Sequence, residues 1–318
     1  MDTDSRHIPV ALDRVLELLD PVLGPQAQTQ EPIMVDATTG LGGHSAAVLG
    51  RFERARVVGL DRDPQAVAAA RARLAGYGDR ASVHHARYDQ MGEVLDSLAL
   101  ASVDAVLFDL GVSSMQIDEA ERGFAYSKSA PLDMRMDTTA DLTAAEVVNT
   151  YPQSELARIL WQYGEERFAR RIARRIVADR PLRISDDLVA SVEAAIPAAA
   201  RRKGHPAKRT FQAVRIEVNA ELVSLEKALP EALRRLRPGG RFIALSYHSL
   251  EDKMVKRALR TGAEDSAPPG LPVVPPDSRP WLRLITRGSE VASDKEIAAN
   301  PRARSVRLRA AEKLREAS

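Results

Sequence analysis

The sequence predicts an α/β fold, a parallel sheet with crossover helices that is interrupted by an all-helical segment. Three observations predict it. Short apolar runs alternate with helix-like runs from Ile33 to about Asp109, which is the rhythm of parallel strands joined by helices. That rhythm stops after Gly111, and the chain becomes polar and then helical as far as Leu236. It resumes at Arg241-Phe-Ile-Ala-Leu-Ser246, behind the helix stop Arg237-Pro-Gly-Gly240.

The elements follow in order. Ile33 to Val35 is a buried strand that ends at Asp36, and Gly40, Gly42 and Gly43 open the turn into a helix starting near His44. Glycines let backbone approach a ligand without a Cβ in the way, and the helix start offers it unpaired N–H groups. Arg56 to Asp61 is the second strand. Pro64 to Leu74 is an Ala-rich helix with Pro in its first turn and Asp63 as cap, ended by Gly76 and Gly78. Ser82 to Ala86 is a weaker third strand and Val103 to Asp109 the fourth. Helices are expected from Pro152 to Tyr163, Glu165 to Asp179, Ser185 to Ile196 and Thr210 to Leu236, with Pro181 and Pro197 as breaks. Beyond a Pro-rich loop from Ala267 to Pro280, Trp281 to Thr286 and Ser305 to Arg309 are the last strand candidates. The expected division is a discontinuous α/β domain, 1–117 with 216–318, and an inserted helical domain, 118–215.

Composition narrows the function classes. With 44% hydrophobic and 28% charged residues, the chain fits neither a disordered segment nor a fibre. It has no cysteine, which removes disulfides, thiolate nucleophiles and cysteine metal sites and fits a reducing compartment. No apolar run approaches the ~18 residues that span a bilayer, and Met1-Asp-Thr-Asp-Ser-Arg lacks the layout of a secretion signal. A cytoplasmic protein without a membrane partner is expected. The formal net charge is only +2, yet Tyr151 to Arg215 holds 14 Lys plus Arg against 7 Asp plus Glu, a local +7. Such asymmetry suits a nucleic-acid-facing module on a neutral or acidic body.

Ligands of open α/β sheets lie beyond the carboxyl ends of the strands, where strand order reverses. Asp36, Asp61 and Asp109 end the first, second and fourth strands, and Tyr88 follows the third. Asp61 stands where a carboxylate takes the hydroxyls of a ribose. Gly40-Leu-Gly-Gly-His-Ser45 lacks the third glycine of a dinucleotide loop. Asp36 would repel a pyrophosphate but attract an ammonium. S-adenosylmethionine has an ammonium, a ribose diol and an adenine and no phosphate, so the layout favours this methyl donor over NAD.

Asp36-Ala-Thr-Thr-Gly-Leu-Gly-Gly-His-Ser45, Gly59-Leu-Asp-Arg-Asp-Pro64, Phe108-Asp-Leu-Gly-Val-Ser-Ser114, Gly123-Phe-Ala-Tyr126, Pro131-Leu-Asp-Met-Arg-Met-Asp137 and Ser246-Tyr-His-Ser-Leu-Glu-Asp-Lys253 closely resemble the bacterial ribosomal RNA small-subunit methyltransferase H family. The resemblance runs from His7-Ile-Pro-Val10 to Asn300-Pro-Arg-Ala-Arg-Ser305. It implies a class I S-adenosylmethionine-dependent methyltransferase (Rossmann-like) fold and N4-methylation of a cytidine in the decoding region of 16S ribosomal RNA. It implies cofactor contacts at Gly42, Gly43, His44, Asp61, Tyr88, Asp109 and Gln116. Tyr88 stands where the family commonly has Phe, and Met115 where Pro is common.

Methyl transfer from a sulfonium is an in-line displacement that needs positioning rather than a metal. The lone pair of a cytosine amine is delocalised into the ring, so acceptors that hold its N–H groups would help it attack. Asp109, with the carbonyls of Leu110 to Val112, is the candidate catalytic group. His248 is read as a structural residue rather than a general base. Glu251, Asp252 and His44 match no metal-ligand spacing, so no metal is expected. The RNA contacts are expected at Arg201, Arg202, Lys203, Lys208 and Arg209, with the arginines from Arg167 to Arg175. The partner is then the small-subunit ribosomal RNA or the assembled subunit, and the sequence leaves monomer or homodimer open. The alternatives are a methyltransferase for a small molecule or protein with the insert as a lid, a nicotinamide oxidoreductase, and a non-catalytic RNA-binding protein.

Overall fold

The computed structural model describes residues 9–197, 205–265, 267, 275 and 278–316. The elements begin with α1 (Leu12–Leu23), β1 (Ile33–Asp36), α2 (Gly43–Arg51), β2 (Arg56–Asp61), α3 (Pro64–Leu74), β3 (Ala81–His85), α4 (Met91–Ser97) and β4 (Val103–Asp109). They continue with α5 (Ser114–Asp118), α6 (Ala144–Thr150), α7 (Gln153–Gln162), α8 (Ala169–Asp179), α9 (Ser185–Ala195) and α10 (Lys208–Asn219). They end with α11 (Glu221–Arg235), β5 (Leu236–Ser246), α12 (Ser249–Ala263), β6 (Leu282–Leu284), α13 (Asp294–Ala299) and β7 (Arg307–Lys313). Two compact units result, Met1–Gly111 with Val223–Ser318, and Val112–Leu222.

The first unit is built on a seven-stranded sheet of order β3-β2-β1-β4-β5-β7-β6. β1 to β5 pair in parallel, and β7 runs antiparallel between β5 and β6. The order reverses between β1 and β4, so their carboxyl ends flank the switch point. Alternation along each strand feeds two cores. Met34, Val57, Ala105, Leu107, Ile243 and Leu245 pack with α1, α2 and α3. Val35, Val58, Val106, Phe108, Phe242 and Ala244 pack with α4, α11 and α12. Both faces are therefore apolar, as a parallel sheet wrapped by crossovers requires.

The helix expected from Glu165 starts only at Ala169, after a left-handed Glu165 at φ 47°, and the strand expected from Trp281 to Thr286 shortens to Leu282–Leu284. Three further elements depart from expectation. Pairing of β4 with β5 jumps from Val103↔Leu236 to Ala105↔Arg241, so Arg237-Pro-Gly-Gly240 is a bulge inside β5 rather than a turn before it. The last strand lies at Arg307–Lys313 rather than Ser305–Arg309, because Asn300 caps a 3₁₀ turn over Pro301–Ser305. The helix expected from Thr210 to Leu236 is two helices, broken at Ala220 with φ 47°. Asn219 explains the break: its Oδ1 accepts from the Met136 N–H at 2.7 Å and its Nδ2 donates to the Met134 carbonyl at 2.7 Å.

The second unit packs α6 to α10 around Val147, Leu156, Ile159, Ile172, Ile176, Leu188, Val192, Phe211 and Val214. On α8 the apolar positions Ile172, Ala173 and Ile176 face this core, while Arg170, Arg171, Arg174 and Arg175 are exposed. The interleaving follows from 3.6 residues per turn.

Candidate functional site

The loop after β1 is tied to the strand ends. Gly42 takes φ 77° as the cap of α2, a left-handed conformation suited to glycine, and its N–H donates to the Thr39 carbonyl at 2.8 Å. The Thr39 hydroxyl lies 3.2 Å from the Asp36 carbonyl and 3.1 Å from that of Leu60. Gly43 and His44 open α2, and the His44 Nε2 donates to the Val10 carbonyl at 3.0 Å.

The acidic residues occupy the strand ends. Asp36 is buried, accepting from the Ser45 hydroxyl at 2.6 Å and the Thr38 N–H at 3.3 Å. Asp61 accepts the Gly40 N–H at 2.7 Å and the Asp63 N–H at 2.9 Å. It therefore binds the glycine loop to β2. Asp109 accepts the Tyr247 hydroxyl at 2.7 Å, and its backbone N–H donates to the Thr38 hydroxyl at 2.6 Å. The His44 Nδ1 faces Asp109 Oδ2 at 3.6 Å. Burial pushes all three carboxyls up. Asp61 rises to about 6, opposed by the N–H groups of Asp63 and Gly40. Asp36 rises against the Ser45 hydrogen bond, and Asp109 against His44 and Tyr247.

Tyr88 starts the turn after β3, and its ring meets Phe108 edge-on at 5.8 Å. Gln116 lies in the second unit, where its side-chain oxygen accepts the Ser113 N–H at 3.0 Å and its own N–H donates to Ser113 Oγ at 3.2 Å. That is a capping box for α5. Lys208 and Arg209 are exposed at the start of α10, and Arg209 donates to the Glu165 carbonyl at 3.1 Å. Arg201, Arg202 and Lys203 lie outside the described residues. His248 caps α12, accepting the Glu251 N–H. Sequence reasoning missed the Tyr247 to Asp109 bond; its only signal is an aromatic residue directly after β5.

The donor set has a clear chemical preference. Among the described residues, none of Asp36, Asp61 and Asp109 is paired with an arginine or lysine. One buried carboxylate and two half-buried ones with so little positive compensation favour a ligand that carries positive charge and hydroxyl donors. S-adenosylmethionine, with its sulfonium, ammonium and ribose diol, meets that description, whereas a pyrophosphate does not.

A model of the MraW methylase family matches residues 4–314. A ribosomal RNA small subunit methyltransferase H of Thermobifida fusca is 58% identical over 314 residues, covering 98% of this chain and 94% of that protein. The protein of that name from Leifsonia xyli is 57% identical, covering 97% and 95%, and that from Streptomyces avermitilis 54% identical, covering 99% of each. The switch-point geometry and these near-full-length likenesses agree: the chain belongs to the MraW methylase family and is an S-adenosylmethionine-dependent methyltransferase of the class I, Rossmann-like fold.

Proposed function

We propose that the chain methylates the N4 amine of a cytidine in the decoding region of small-subunit ribosomal RNA. The observation that carries this reading is Asp109, a carboxylate oriented at the switch point between β1 and β4. It is supported by relatives whose names specify small-subunit ribosomal RNA.

Bound S-adenosylmethionine supplies an electrophilic methyl group on sulfur. The chain's own residues bind and orient. Gly42, Gly43 and His44 form the wall for the methionine end, and Asp36 offers its charge to the ammonium. Asp61 accepts the ribose hydroxyls, and Tyr88 packs against the adenine. Asp109 and Gln116 are the remaining cofactor contacts that the family resemblance implies. Asp109 accepts an N–H of the target amine, which opposes delocalisation of the nitrogen lone pair, stabilises the positive charge that develops there and gives the proton that the methylated nitrogen must shed a path along that hydrogen bond. The target base leaves any stack to reach this site.

The second unit is the inserted substrate-recognition domain in this reading. Arg167, Arg170, Arg171 and Arg174 on and before α8, with Lys208 and Arg209 and the 201–203 run, contact phosphates and position the RNA. The test is incubation with methyl-labelled S-adenosylmethionine and, separately, small ribosomal subunits, naked ribosomal RNA and bulk protein. Label entering RNA is expected; label entering protein alone contradicts the reading.

A further inference from the structure

Tyr247 follows β5 and is held on three sides. Its N–H donates to Glu251 Oε2 at 2.8 Å, and Glu251 is buried in the capping box of α12. The neighbouring Asp252 is bound by both nitrogens of an Arg309 fork, at 2.7 and 3.1 Å, which fastens α12 to β7. The Tyr247 ring lies against Gly111, where φ is +95° and a Cβ would meet Tyr247 Cδ2 at 3.4 Å. A hydroxyl placed this firmly is built to aim at one acceptor. That acceptor is Asp109 Oδ1, at 2.7 Å.

The other oxygen, Oδ2, faces the His44 Nδ1 at 3.6 Å, longer than a hydrogen bond. Each carboxylate oxygen has two lone pairs, so Oδ2 keeps capacity for a ligand N–H. We propose that Tyr247 is the positioning residue for Asp109: its hydroxyl fixes the carboxylate plane and favours the ionised form, so that Oδ2 is presented to the target amine. The inference rests on the proposed methylation for the identity of that amine, but its effect on Asp109 belongs to the chain alone. The groups that act on the Asp109 charge are Tyr247, His44 of α2, Asp36 of β1 and Glu251 of α12; those that act on the Tyr247 hydroxyl are Asp109, Glu251 and Glu296 of α13. Burial, and then Asp109, push the Tyr247 hydroxyl well above its usual range, so it remains a donor.

The experiment compares wild type with Tyr247→Phe by two readouts. Carbon NMR of ligand-free protein follows the Asp109 carboxyl, whose titration should move up by about one pH unit in the variant. Turnover on small-subunit RNA should fall by up to about tenfold on the acid side of the Asp109 titration, with KM values within about twofold and recovery as pH rises. Asp109→Asn combined with Tyr247→Phe should be no slower than Asp109→Asn alone, since both act through one carboxylate. If the Phe variant does not fold, 3,5-difluorotyrosine at 247 keeps ring and hydroxyl while strengthening the donor, and Asp109 should then titrate lower. An unmoved Asp109 titration, or a double variant that multiplies the two defects, overturns the inference and leaves RNA methylation standing. A wild type that methylates no RNA overturns the proposed function, while the NMR arm still decides what Tyr247 does to Asp109.

Discussion

Asp61 is lifted to about 6 because burial removes water from its carboxylate faster than two backbone N–H groups replace it. Its ordinary value lies near 3.9, so the folded ligand-free chain holds this proton more tightly than the unfolded chain does. The stability it contributes is therefore full below about pH 4 and is lost as pH rises through about 6. Hydroxyl donors need the ionised form, so the cofactor opposes that trend: the rise in melting temperature caused by S-adenosylmethionine should shrink as pH falls below about 6. Asp61→Asn should weaken cofactor affinity about tenfold to a hundredfold and remove the part of this pH dependence centred near 6, as read by calorimetric titration from pH 5 to 8. A variant that binds as wild type does would remove Asp61 from the site. Asp36, Asp61 and Asp109 were legible because each ends a strand-like run. Tyr247 was not, because its partner lies 138 residues earlier and only the pairing of β4 with β5 brings them together. Gln116 shows the opposite limit: the resemblance names it, while the geometry gives its side chain a local task at the start of α5.

Among the elements, the join between α10 and α11 concentrates the most information per residue. Ala220 holds φ 47°, a left-handed conformation that costs a non-glycine residue about 1–2 kcal/mol. Ala220→Gly should raise stability by up to about 1 kcal/mol, less than the full relief because glycine gains entropy when unfolded. Asn219→Ala should lower it by about 2–4 kcal/mol, since the Met136 N–H and Met134 carbonyl lose their partner in a buried setting. Chemical denaturation of the two variants checks both signs. The sequence from Thr210 to Leu236 reads as one helix because each half is helix-forming and the break is decided by a contact to 134–136, far away in the chain. The tail fails for a related reason. Arg307-Leu-Arg-Ala-Ala-Glu-Lys313 is rich in helix formers, yet it lies between β5 and β6 and takes their extended pairing. Tertiary pairing outweighs local preference there. By contrast, α3 was predictable to its ends, since Asp63 caps it through Gln65 and Pro64 fills its first position.

At the scale of the molecule, charge separates two tasks. The sheet unit gathers buried and half-buried acids at its strand ends, and the helical unit displays arginines from α8 while hiding that helix's apolar stripe. On the proposed function, replacing Arg170, Arg171 and Arg174 with Gln should weaken RNA binding across sequences alike. It should also flatten the plot of log affinity against log salt, by about 0.7 for each phosphate of single-stranded RNA that is no longer neutralised. Filter binding across a salt series checks this, and an unchanged slope removes α8 from the interface. The segregation was visible in the sequence as a local +7 between Tyr151 and Arg215, but the direction of each arginine required the helix phase. If the strand-end acids bring a methyl donor to a cytosine amine, the modified base itself carries the proof. Nucleoside mass spectrometry of small-subunit ribosomal RNA, methylated by the wild type and by Asp109→Asn, reads it. The wild type should yield N4-methylcytidine, and the variant less by a factor of about ten or more, the order expected for an oriented charge acceptor. Label in any other nucleoside, or equal N4-methylcytidine from both proteins, would contradict that role for the acids.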